Sequence, residues 1–99
     1  MPEISYEQFI ETLTQDTPPE LPNYLAALWW DHSGDWDRAH DCLQDDGGWK
    51  DAYVHAYLHR KEGDLSNANY WYNRAGKRAP KCSLREEWDS ILRELIDNS

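Results

Sequence analysis

The chain has 99 residues, a formal net charge of −9 and a mean hydropathy of −0.97. That length suits one domain, residues 1–99, with a single core. The acidic balance disfavours a surface that follows a phosphate backbone, so no nucleic acid partner is expected. Two cysteines are too few for a disulfide framework, and no apolar run is long enough to span a bilayer.

The first predicted element is a helix over residues 5 to 14. Ser5 and Gln8 have the spacing of a capping box, and Tyr6, Phe9, Ile10 and Leu13 form an apolar stripe behind them. Thr17-Pro18-Pro19-Glu20-Leu21-Pro22 then breaks the helix, because proline removes donors and restrains its predecessor. Residues 1–20 therefore read as an N-terminal helix with a Pro-rich elbow.

Residues 21–46 read as a first helical hairpin. Leu21, Tyr24, Leu25, Leu28, Trp29 and His32 share one face of its first helix, and Gly34 ends it. Asp35 suits the N-cap of the next helix, with Trp36, Ala39 and Leu43 inward. Asp45-Asp46-Gly47-Gly48 reads as a loop.

Residues 49–76 read as a second hairpin of the same design. Trp49, Tyr53, Ala56 and Tyr57 share one face. Gly63 and Asp64 form the corner. Leu65, Ala68, Tyr72 and Ala75 share the facing stripe, and Gly76 closes the helix. ALWWDHSGDWDRA (27–39) aligns without a gap on AYLHRKEGDLSNA (56–68), at an offset of 29 residues. Ala27, Gly34, Asp35 and Ala39 match Ala56, Gly63, Asp64 and Ala68, the positions where a hairpin needs small residues, a left-handed Gly and a cap. Residues 83–97 complete the chain as a C-terminal capping helix. Ser83 with Glu86 forms a second capping box, and Leu84, Trp88, Ile91, Leu92 and Leu95 make its apolar stripe. The fold class is all-α, two α/α hairpins with a flanking helix at each end.

Charge is unevenly spread. Residues 1–49 carry 11 acidic and one basic residue, and residues 50–99 carry 8 acidic and 9 basic. The front half is thus strongly acidic and the back half mixed, a surface that could meet a basic partner or simply keep helix faces solvated.

The order Ala56, Ala68, Tyr72, Ala75 and Pro80 resembles the tetratricopeptide repeat, although the offset between the copies is short and the first copy lacks the proline. The segments HAYLHRKEGD (55–64) and YWYNRAG (70–76) also resemble a family of short uncharacterised bacterial proteins. The tetratricopeptide resemblance implies a non-catalytic binding module that holds a peptide or protein segment, or an anionic small molecule, on the 54–76 hairpin. His55, His59, Arg60, Tyr70, Trp71 and Arg74 are the candidate binding residues. Arginine forks bind carboxylates bidentately while aromatic rings hold side chains.

His55 and His59 are four apart and share a helical face. The pair reads first as hydrogen-bonding residues, and no cofactor is expected. The alternative is a small metal protein or enzyme centred on the pair, which needs a third ligand from His32, His40, Asp31 or Asp64, with Glu62 or Asp64 as base or ligand. Ala56 stands where a zincin carries glutamate, so that motif is absent. The aromatic load also allows a homodimer that buries tryptophan. A cytoplasmic protein with free thiols and no membrane association is expected.

Overall fold

Gly34 and Gly63 take φ of 92° and 90°, a left-handed conformation that glycine adopts at little cost. Each ends a helix, and each is followed by an aspartate that caps the next. The Asp35 carboxylate accepts from the Arg38 N–H at 3.0 Å, and that of Asp64 from the Asn67 N–H at 3.3 Å. The Asp35 N–H donates to the Trp30 carbonyl and the Asp64 N–H to the His59 carbonyl, both at 3.0 Å. The donors are 29 residues apart, and so are the acceptors. The sequence repeat is therefore a repeat of corner geometry.

The computed structural model describes residues 4–44 and 46–98, and among these there are six helices and no strand. They are α1 (Tyr6–Thr12), α2 (Asn23–His32), α3 (Trp36–Asp41), α4 (Gly48–Glu62), α5 (Leu65–Ala75) and α6 (Leu84–Asp97). Asp45, expected in the loop before α4, lies outside the described residues. Among the described residues no helix is long and apolar enough to cross a membrane.

Helices α2 and α3 form the first hairpin, and α4 and α5 the second. Both capping boxes are present, Ser5 with Gln8 and Ser83 with Glu86. The main core gathers where α2, α4 and α6 meet, around Leu25, Leu28, Trp29, Leu58, Trp88 and Leu92. Helix α1 lies against α6, anchored by the fully buried Phe9. Two buried indoles find backbone acceptors: Trp88 donates to the Leu28 carbonyl at 3.1 Å and Trp29 to the Thr12 carbonyl at 3.2 Å. A smaller core of Ala52, Ala56, Ala68, Trp71, Tyr72 and Ala75 fills the α4–α5 interface, where alanines let the two axes approach.

The structure departs from the expected inward faces at a few places. Leu65 is 60% exposed, because the first residue after the Asp64 cap projects away from α4. Trp36, its counterpart in the first hairpin, is partly buried instead, and its indole donates to the Leu58 carbonyl at 2.9 Å. Trp49, in the first turn of α4, is 36% exposed and outside both cores. Leu43 is buried although α3 ends before it, and Leu21 packs on the core from ahead of α2.

Two buried carboxylates tie the helices together. Asp31 of α2 accepts from the Tyr57 hydroxyl at 2.9 Å and from Lys61 at 2.8 Å, both on α4. Glu87 of α6 accepts from Arg60 at 2.8 Å and from the Tyr72 hydroxyl, and Arg60 also donates to the Cys82 carbonyl. Burial is the main cause that raises the Tyr57 and Tyr72 phenols well above the ordinary range, helped by the neighbouring carboxylates, and burial pushes Tyr53 to about 12. A phenol whose folded value is raised favours the fold below its unfolded value of ~10, and that contribution is lost as pH rises through the folded value. Stability measured by urea titration should therefore fall steadily above pH ~10. Tyr57→Phe, which loses one hydrogen bond but cannot ionise, should show a shallower fall. An equal slope in the two proteins would remove Tyr57 from this account.

Candidate metal centre

The i, i+4 spacing of His55 and His59 places both on the face of α4 that meets α3. Both are buried, at 2% and 7% exposure. Their rings stack with an interplanar angle of 8° and centroids 5.5 Å apart. The third histidine comes from α3. Trp36 and His40 are also an i, i+4 pair, their rings stacked 5.0 Å apart, and this pair lies across the α4 pair. His40 Nε2 is 3.0 Å from His55 Nε2, and its ring centroid is 5.4 Å from that of His59.

One ring nitrogen from each of His40, His55 and His59 lies within 4.8 Å of the other two. A tetrahedral zinc with Zn–N bonds near 2.0–2.1 Å sets its nitrogens about 3.3 Å apart. The His40–His55 separation of 3.0 Å is close to that value, and a His59 nitrogen lies within 4.8 Å of both.

The surroundings orient the three donors. His59 Nδ1 is 2.6 Å from a Glu62 carboxylate oxygen, an i, i+3 contact at the end of α4. In the neutral tautomer that donates from Nδ1 to this oxygen, Nε2 is the nitrogen left to ligate. A carboxylate behind a ligand imidazole fixes its tautomer and raises its basicity. Trp71 of α5 stacks on His55 with centroids 4.1 Å apart, and Trp36 stacks on His40, so two indoles bracket the cluster. His40 is only partly buried, so the cluster reaches the surface at α3. Neither cysteine belongs to a potential metal-binding group among the described residues.

The candidate binding residues are divided by the fold. His55, His59 and Trp71 come together at the cluster. Arg74 lies over the outer side of Trp71, its guanidinium carbon 4.9 Å from the ring centroid. Tyr70 is 54% exposed beside it. Arg60 points the other way, into its ion pair with Glu87. Of the four third ligands that the sequence allows, His40 is the one that the fold delivers to the pair. His32 packs instead against Trp88 with its ring tilted by 47°, Asp31 is engaged by Tyr57 and Lys61, and Asp64 caps α5. Asp64 also lies close to His59 and Glu62, so its carboxylate borders the centre.

Glu62→Gln gives a specific expectation. Loss of an outer-shell carboxylate should weaken zinc affinity by about 10–100-fold while leaving the stoichiometry unchanged. Competition with a chromophoric chelator measures this. An unchanged affinity would mean that Glu62 does not position His59 for an ion. Comparison of the chain with family models, with curated proteins and with solved structures finds no match in any of the three.

Proposed function

We propose that the protein is a small helical metal-binding protein that holds one late first-row divalent ion, zinc foremost, through His40, His55 and His59. The observation that carries this reading is the convergence of three imidazoles, two of them buried, with a carboxylate set behind one. Imidazole donors suit zinc, copper and nickel, and three protein ligands leave one position for water or a small exogenous ligand. The arrival of His40 from α3 moves the metal reading ahead of the one based on hydrogen bonding alone. Free thiols at Cys42 and Cys82 fit the expected cytoplasmic setting.

Calorimetric titration with zinc tests the proposal. One ion should bind per chain, and binding should weaken as pH falls, because the imidazoles must be deprotonated. His40→Ala, the least buried of the three substitutions, should weaken binding by more than about 100-fold, beyond the effect of losing an outer-shell partner. Equal zinc binding by wild type and His40→Ala would reject the proposal.

A second reading is favoured by Arg74. Its guanidinium lies over Trp71 and near Tyr70, and it makes no ion pair among the described residues. A tetratricopeptide-like clamp for an acidic peptide would use this exposed face of α5. It would do so without Arg60, which Glu87 already holds. Unchanged capture of an acidic peptide by Arg74→Ala would dismiss it.

A further inference from the structure

His59 belongs to two potential metal-binding groups among the described residues. The inner group is the cluster with His40 and His55. The outer group is His59 with Glu62 and Asp64, again with one ligand atom from each residue within 4.8 Å of the other two. The groups differ in burial and in donor type. His55 and His59 are buried, whereas Glu62 and Asp64 are exposed at the corner where α4 ends and α5 begins. One buried imidazole is thus shared between a nitrogen-only group inside and an oxygen-rich group at the surface.

An exposed pair of carboxylates is ordinary by itself. This pair is distinguished by the buried imidazole it shares with the inner group, and by the cations that turn away from it. Arg60 and Lys61, its neighbours in sequence, point into ion pairs with Glu87 and Asp31. Among the described residues no lysine or arginine pairs with Glu62 or Asp64, and the ion-pair partner of Glu62 is His59 itself. Asp64 accepts from the Asn67 N–H at 3.3 Å and from its side-chain amide at 3.5 Å, both long for hydrogen bonds. The corner therefore keeps its negative charge and draws a divalent cation towards the imidazoles. Late first-row ions suit imidazole, while carboxylates alone suit harder ions, so an ion caught outside gains by moving inward.

We propose, on the reading of the histidine cluster as a metal centre, that His59, Glu62 and Asp64 form a loading station through which the ion enters and leaves it. Glu62 and Asp64 take the ion from water, and His59 passes it on. The imidazole stays neutral throughout, with its proton on the nitrogen away from the ion. That proton is on Nε2 while the ion sits with the carboxylates, and on Nδ1, facing Glu62, once the ion has moved in. The station is occupied only in passing, so one ion per chain remains at equilibrium. A route used in both directions changes entry and exit by the same factor and leaves affinity alone, whereas a resident ligand changes affinity.

Two rates measured on the full chain test this. Stopped-flow mixing with zinc gives the entry rate from tryptophan emission, because Trp36 and Trp71 stack on His40 and His55. Transfer of zinc from the loaded protein to a chromophoric chelator gives the exit rate. Asp64→Asn removes the charge but keeps the α5 cap, since asparagine caps as well as aspartate. It should slow entry and exit alike by about tenfold, with the ratio of the two rates little changed. Asp37→Asn removes an exposed carboxylate of α3 that belongs to neither group, and it should leave both rates near those of the wild type. A wild-type protein that takes up no zinc would remove the metal centre and this proposal with it. Normal zinc uptake with unchanged rates in Asp64→Asn would overturn the loading station alone. So would equal slowing in Asp37→Asn, which would assign the effect to the general field, or weaker binding through faster exit in Asp64→Asn, which would make Asp64 a resident ligand.

Discussion

Replacing Glu87 with alanine is expected to destabilise the protein by about 3 kcal/mol, because removing one partner of a buried ion pair leaves the other charge uncompensated. Glu87 is 2% exposed and accepts from both Arg60 and Tyr72. Truncation would strand the guanidinium, which is 20% exposed, and a buried phenol in the same step. A small domain has a net stability of only about 5–15 kcal/mol, so the loss is a large share of it. The double variant Arg60→Met with Glu87→Leu removes both charges and keeps the volume, and it should recover most of the loss. Urea denaturation measures both. If the single and double variants are equally destabilised, the shape of the site matters more than its charge.

The second large effect concerns the metal. Zinc that binds the folded protein alone should stabilise it by about 2.7 kcal/mol at 100 times its dissociation constant. For a domain of this size, each kcal/mol raises Tm by about 4–8 °C. A shift of about 10–20 °C is therefore expected in a thermal melt with zinc, and none with magnesium, which prefers oxygen donors. The shift should vanish in His40→Ala. Helix α3 has six residues, and an ion bound to His40, His55 and His59 would fasten it to α4. Hydrogen exchange at Ala39 and Asp41 should accordingly slow when zinc is added. A shift retained in His40→Ala would place the responsible ion elsewhere.

Much of this fold is legible in the sequence because its determinants are local. The capping boxes at Ser5 and Ser83, and the Gly–Asp corners at 34–35 and 63–64, are each set within four residues. Helical stripes are equally local, and Leu84, Trp88, Ile91, Leu92 and Leu95 read correctly as a face, with all but Leu84 buried. Leu65 misled because periodicity assigns it a face, while its place directly after the cap turns it outward.

The site was half legible. The spacing of His55 and His59 predicts a shared face, since both lie on one helix. Adding His40 depends on how the first hairpin docks on the second, which no local pattern encodes. A hint was present: Trp36 and His40 repeat the i, i+4 spacing of His55 and His59 on a neighbouring helix. Arg60 illustrates the reverse. In the sequence it is a candidate clamp residue, and its commitment to Glu87, 27 residues away, emerges only in three dimensions. Glu87 itself lies one turn before Ile91, at the edge of the apolar stripe, the position from which a charged side chain can turn inward.

X-ray absorption at the zinc edge of the stoichiometrically loaded protein tests the central claim most directly, because it counts the donor atoms around the ion. Three imidazole nitrogens at about 2.0–2.1 Å, with one light atom completing the shell, is the predicted result. The imidazole count should fall by one in His40→Ala. A shell made only of oxygen donors, or one containing sulfur from Cys42 or Cys82, would contradict the assignment of the centre to His40, His55 and His59.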